Sequence, residues 1–319
     1  MHFRSDLSLL PMLLTAIAVV GMALAAHAEG APRAGQEEFI LDTDIGDDID
    51  DAYALALIAS RPDLKLIGVT TTYGQTHERA QLAAKLLQVM GRKDVPVCAG
   101  RPGEAKIGGQ YAWARGFHSA AIRTQPAVEF MKEAIDRAPG RVTLIGIGAL
   151  TNFGELVTRH PEVRTKIRRI VIMGGSVHGG YNGDPPPVVE WNIRCDPGAQ
   201  EVFGSGVPIV MAGLESTAMM ALDLARRQRI FAYGTPLTDA LAALTALWSG
   251  RDPILFDPVA VAYAIGHADC DTEEVHVVVD GDGMTRAGEG APNATLLVHP
   301  RKDAFLDWYV SALAPTAAP

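Results

Sequence analysis

The sequence predicts an α/β protein: a mostly parallel, Rossmann-like open sheet with flanking helices, in a single domain. Three observations predict it. Short β-rich runs alternate with helical patterns of about 10–15 residues, the signature of βαβ units. Polar motifs rich in Asp, Gly and Thr follow several strands directly, where open parallel sheets place their sites. The chain of 319 residues, 48% hydrophobic and 20% charged, is ample for one large core.

The elements follow in order. Arg4 sits in a short polar start, before the apolar stretch "LSLLPMLLTAIAVVGMALA" and the small-x-small site "AHA" ahead of Glu29. Residues 1–28 therefore read as a signal peptide cleaved after Ala28. The competing reading is an uncleaved anchor, because the apolar run approaches a membrane span. Cleavage implies a periplasmic or secreted protein with no membrane attachment afterwards. Residues 29–37 form a polar linker, and 38–313 form the domain. "EFILDT" (38–43) is a buried strand and "DDAYALALIAS" (50–60) a helix. "KLIGVTTT" (65–72) is the next strand, followed by the helix "HERAQLAAKLLQVM" (77–90). "VPVCAG" (95–100), the helix "AVEFMKEAIDRA" (127–138) and the strands at 141–148, 167–175, 207–213 and 274–279 continue the alternation. Residues 101–126 and 176–196 read as loops that cover a pocket. The Pro/Ala-rich residues 314–319 read as a flexible tail.

Charge and cysteines exclude some functions. A net charge of −9 and a pI near 5.5 argue against nucleic acid as a partner, and no Lys/Arg run offers a phosphate-tracking surface. Cys98, Cys195 and Cys270 are widely spaced and odd in number, so they suggest neither a zinc cluster nor a disulfide framework. One disulfide remains open in an oxidising compartment.

The chemistry concentrates in "DTDIGDDIDDAYAL" (42–55), where Asp42, Asp44, Asp47, Asp48, Asp50 and Asp51 crowd a strand-to-helix passage. A helix start accommodates one or two of them as cap and dipole partners. The rest are tolerable together if a hard cation neutralises them. Ca²⁺ and Mg²⁺ select oxygen ligands, and Ca²⁺ accepts a flexible shell. A bound cation lowers the pKa of a water, and a free carboxylate then takes its proton. A phosphatase with an aspartyl nucleophile is the alternative for a strand-end "DxD", but the lysine and second acidic pair it wants are not evident.

Further along stand "GVTTTYG", "GALTN", "VIMGG", "EWNIRCDPGA", "MAGLEST" and "FDPVA". With "DTDIG…DDAYAL", over roughly residues 38–265, this ordered set resembles the inosine–uridine-preferring nucleoside hydrolases. The resemblance implies the nucleoside hydrolase fold and Ca²⁺-dependent hydrolysis of the N-glycosidic bond of ribonucleosides, giving ribose and free base. It places Asp44, Asp51, the Thr151 carbonyl and Asp257 on the Ca²⁺, and makes Asp50 the general base. Asn182, Glu190 and Asn192 match the ribose-binding positions, and Met173 lines the ribose pocket. Relatives of this kind form homodimers or homotetramers.

This sequence also departs from the family pattern. The acidic motif is two residues longer, so Asp47 and Asp48 are alternative bases or ligands. Gln75 replaces the Asn that approaches ribose. Phe256 stands where some members carry a His as leaving-group acid, which leaves it to stack on the base. The His-rich loop after the third strand is not reproduced, although Trp113, Phe117 and His118 lie there. Two other readings stay open: a non-catalytic periplasmic binder of nucleoside or ribose, and a hydrolase of another N-riboside.

Overall fold

The computed structural model describes residues 35–315. The expected signal peptide (1–28), residues 29–34 of the expected linker and the end of the expected tail lie outside the described residues. The strands are β1 (Glu38–Thr43), β2 (Lys65–Thr71), β3 (Val97–Ala99), β4 (Ile122–Arg123), β5 (Val142–Gly146), β6 (Arg169–Met173), β7 (Ile209–Ala212), β8 (Asp271–Val275), β9 (Val277–Val279), β10 (Thr285–Ala287) and β11 (Ala294–Val298). The helices are α1 (Asp50–Ala59), α2 (Thr76–Val89), α3 (Ala127–Arg137), α4 (Thr151–Arg159), α5 (Trp191–Arg194) and α6 (Gly198–Phe203). They continue with α7 (Leu214–Thr217), α8 (Leu224–Phe231), α9 (Pro236–Trp248), α10 (Phe256–Ala264) and α11 (Lys302–Leu313).

Nine strands form one sheet in the order β4-β3-β2-β1-β5-β6-β7-β11-β8. Every pairing is parallel except β8 against β11. β1 is central, bonded to β2 on one side and β5 on the other, and the strand order reverses there. That reversal opens a crevice at the carboxyl ends of β1 and β5, the usual place for a ligand.

β1 is buried at all six positions because both faces of the sheet are covered. Phe39 and Leu41 face the apolar layer built with α1, α2, α9, α10 and α11, whereas Ile40 faces the layer built with α3, α4 and α6. The strand period of two assigns these residues to opposite faces. α1 is buried along its whole length, so its sequence is apolar beyond the acidic first turn.

Two expectations change. The strand at 274–279 breaks at His276: β8 pairs with β11, and β9 turns away to pair with β10 in a separate two-stranded ribbon. The backbone carbonyl of His276 accepts from Gly288 N–H and its ring bonds Ala291 O, which fixes the bend. The expected loop at 101–126 carries a 3₁₀ turn (Gly109–Trp113) and β4, and the one at 176–196 carries α5. Among the described residues no helix is long and apolar enough to cross a membrane. The three cysteines are free.

Candidate active site

The passage out of β1 is shaped by a few close contacts. Gly46 has φ +125°, and an added Cβ would collide with the Ile107 side chain at 2.5 Å. Gly148, after β5, lies so near Asp44 that a Cβ there would meet its carboxylate at 2.9 Å. Gly148 lets the β1 and β5 strand ends approach each other, and Gly46 admits the Ile107 side chain against the turn. α1 then begins with Asp50 and Asp51, and α10 begins with Phe256 and Asp257. The two helix starts meet: the Asp257 N–H donates to Asp50 Oδ2 at 3.1 Å. Carboxylates are favoured at both positive helix ends, so each sequence places its acids in the first turn.

As a result Asp50, Asp51 and Asp257 each offer an oxygen within 4.8 Å of the others, and all three are buried. They line a cavity of about 340 Å³ together with Asp44, Asp47 and Asp48. Burial pushes every one of the four innermost carboxyls up. Asp44 rises to about 7, with Arg79 opposing the shift, and Asp50, Asp51 and Asp257 rise well above the ordinary value because each also faces its neighbours. Thr43 Oγ1 bonds Asp51 Oδ1 and accepts from Ile45 N–H at 3.1 Å, fixing that carboxylate. No Lys or Arg lines the cavity. The guanidinium nearby, Arg79, is bonded to Asp47, so the converging Asp50, Asp51 and Asp257 carboxylates are unfavourable as anions, and an all-oxygen donor set of this kind fits a hard divalent cation.

The opposite wall is largely apolar or amide. Met173, at the end of β6, and Ile147, just past β5, line it, with Phe256 half-buried beside them. Asn192 directs its amide at the strand ends, donating to Met173 O at 3.2 Å and Ile147 O at 3.4 Å. Glu190 lines the cavity while accepting from Gly175, Asn192 and Ile193 N–H groups at 2.8–3.2 Å. It caps α5 and ties that short helix to β6.

Not every predicted residue reaches this cavity. Thr151 begins α4, half-buried and outside the lining, whereas Ile147 of the same β5–α4 connection lines the cavity. Asn182 is exposed and its side chain accepts from Asp184 N–H, closing its own turn. Gln75 is turned to the 101–108 segment, where its side chain accepts from Ile107 N–H at 3.1 Å. Asp47 bonds Arg79 Nη2 and Gly108 N–H, both at 2.7 Å, so its carboxylate is committed to holding the longer loop. Asp48 accepts from its neighbour Ile49 N–H and stays exposed at the rim. Asp42 does not line the cavity; it lies buried between Thr70 Oγ1 and Asn152 Nδ2, its pKa raised to about 7 by burial.

Sequence reasoning missed Ile147, Tyr181 and Trp191. Trp191 was legible as the residue between Glu190 and Asn192, and Tyr181 as the neighbour of Asn182. Ile147 carried no signal, since an apolar residue at a strand end reads as plain core. A larger depression of about 700 Å³ lies at the amino ends of β1 and β2. Lys65 pairs with Glu38 at 2.8 Å and Arg92 with Asp94 at 3.1 Å there, and it gathers no comparable carboxylate cluster among the described residues.

The sequence profile of the inosine-uridine preferring nucleoside hydrolases matches residues 39–307. The pyrimidine-specific ribonucleoside hydrolase RihA of Citrobacter koseri is 32% identical over 311 residues, covering 86% of this chain and 97% of the relative. RihA of Shewanella sp. (strain ANA-3) is 34% identical over 311 residues, covering 86% and 95%. A plant nucleoside hydrolase, PpNRh1, shares the fold with a TM-score of 0.77 at 22% identity, covering 88% of this chain and all of that one. The chain therefore belongs to the inosine-uridine preferring nucleoside hydrolase family, as a hydrolase acting on N-glycosyl bonds.

Proposed function

We propose that the protein is an exported, Ca²⁺-dependent ribonucleoside hydrolase that uses water as nucleophile and Asp50 as general base. The observation that carries this reading is the convergence of Asp50, Asp51 and Asp257 within one buried cavity beside Asp44. Asp44, Asp51 and Asp257 would hold the cation, with a backbone carbonyl from residues 147–151, the segment that includes Thr151, as a further ligand. When bound, Ca²⁺ neutralises the converging carboxylates and makes a water more acidic.

The chain's own residues do the rest. The Asn192 side-chain oxygen and the Glu190 carboxylate accept from ribose hydroxyls, and a site built on such bonds discriminates strongly against a sugar lacking them. Met173 and Ile147 exclude bulk water from the sugar face. Asp50 accepts a proton from the attacking water as its oxygen adds to the anomeric carbon. The surrounding carboxylates favour the positive charge that develops on ribose. The relatives named pyrimidine-specific make pyrimidine ribonucleosides the first substrates to examine.

A second reading exchanges two roles. The closest carboxylates are Asp50, Asp51 and Asp257, and Asp44 makes no side-chain hydrogen bond among the described residues. In that version Asp50 belongs to the cation shell and Asp44 is the base.

The test begins with protein recovered from the periplasmic fraction of a bacterial host. Its mass should correspond to a chain starting at Glu29; retention of residues 1–28 in a membrane fraction would sink the export claim. A panel of purine and pyrimidine ribonucleosides is then assayed for ribose release, with and without EGTA. Turnover abolished by EGTA and restored by Ca²⁺ is expected. Nucleoside binding with no ribose release would replace the hydrolase by a binder, and turnover confined to another N-riboside would change the substrate.

A further inference from the structure

We infer that Tyr181 is the proton donor to the leaving base, the position opposite the carboxylate floor that Phe256 cannot serve. The inference deepens the hydrolase reading and rests on it. Cleavage of an N-glycosidic bond leaves an electron pair on a nitrogen of the base, and that pair must be neutralised or the bond re-forms. Phe256 has no proton to give, and no His lines the cavity.

Tyr181 lines the same cavity and packs edge-on against Phe256, with ring centroids 6.4 Å apart at 86°. Its hydroxyl oxygen accepts from the Trp191 backbone N–H at 3.1 Å. It donates to no acceptor among the described residues. A phenol carries one O–H donor besides its acceptor sites, so its hydrogen remains available to a ligand. The backbone bond and the Phe256 edge contact together fix the ring, which is otherwise half exposed. The other lining donors are less suited. The Asn192 amide is spent on two backbone carbonyls, and the Trp191 indole holds its proton too tightly to transfer it.

The step balances without a further reactant. Water oxygen bonds to the anomeric carbon as its proton passes to Asp50. The C–N bond breaks with its electron pair going to the base, and the Tyr181 proton adds to a base nitrogen or carbonyl oxygen. Afterwards Asp50 releases its proton and the phenolate regains one from solvent.

The test compares two leaving groups on wild type and Tyr181→Phe. Uridine and inosine leave poorly without a proton, whereas 4-nitrophenyl β-D-ribofuranoside expels a stable phenolate that needs none. Tyr181→Phe should lower kcat on the nucleosides by about a hundredfold and leave the 4-nitrophenyl riboside within about twofold. An equal loss on both substrates, or a loss on neither, overturns the inference while wild-type turnover keeps the hydrolase reading. A wild type that cleaves neither overturns both. Unchanged thermal unfolding of the variant confirms that the ring still packs.

Discussion

Each residue in the acidic stretch has its own environment, and the environment decides its work. Asp47 is neutralised by Arg79, Asp42 is bonded between Thr70 and Asn152, and Asp50, Asp51 and Asp257 face one another in the cavity. The two candidate bases are separable by experiment. Asp50→Asn should lower kcat by about 10²–10⁴-fold while Ca²⁺ affinity and KM change little. If Asp50→Asn instead weakens Ca²⁺ binding and Asp44→Asn lowers kcat at preserved affinity, the roles are exchanged. Isothermal titration with Ca²⁺ beside steady-state kinetics reads both quantities. The motif positions of these residues were legible in the sequence, but not their partners. Asp47 and Asp48 looked equivalent on paper, yet one is fastened to a buried guanidinium and the other stands at the rim.

Among the elements, α2 has a role that its amphipathic pattern does not announce. It delivers Arg79, wholly buried, into the turns after β1 and β2. The guanidinium donates to the carbonyls of Asp44, Ile45 and Tyr73 and to the Asp47 carboxylate. Tyr73 holds a φ of +61°, an uncommon conformation for a residue with a side chain, and the bond to its carbonyl helps to keep it there. Arg79→Met leaves those carbonyls unpaired and frees the longer acidic loop. It should cost about 3 kcal/mol of stability, read from urea unfolding, and lower kcat more than it raises KM. A variant of unchanged stability and activity would show that the loop holds its form without the clamp. The same loop is bonded on its outer side by Gly108 N–H and by Gln110, whose amide reaches Asp47 and Asp48 carbonyls. Gly108 and Gln110 therefore brace the acidic loop from outside the cavity. The sequence had suggested only a covering loop there.

For the molecule as a whole, the buried carboxyls link folding to pH and cation. Asp42 and Asp44 have pKa values raised to about 7 from an ordinary 3.8. The native state thus keeps protons that the unfolded chain has already released. In that window the unfolded state binds fewer protons, so stability of the cation-free protein falls as pH rises from about 4 through about 7. Ca²⁺ in the proposed site would bind the deprotonated carboxylates, so its stabilisation would grow over the same range. In EGTA the melting temperature should be higher at about pH 5 than at about pH 8. Added Ca²⁺ should raise it markedly at the higher pH and little at the lower. A melting temperature indifferent to Ca²⁺ at the higher pH would count against the cation site.

The sequence alone determined the α/β class, the strands β1, β2, β3, β5, β6 and β7 and the ordered motifs that mark the family, because each rests on local periodicity or spacing. β11 and helices α8 to α11 escaped that reading. α10 is buried and nearly uniformly apolar, so its pattern lacks the contrast that reveals an amphipathic helix, and β11 joins the main sheet between β7 and β8. What only the tertiary structure decided is which polar groups share one cavity. Asp257 meets Asp50 across 207 positions because two helix starts point at the same spot. Thr151, Asn182 and Gln75 turn elsewhere, while Ile147 and Tyr181 enter. The physical reason is that a motif fixes residue types along a strand end or helix start, whereas convergence depends on how sheet and helices pack.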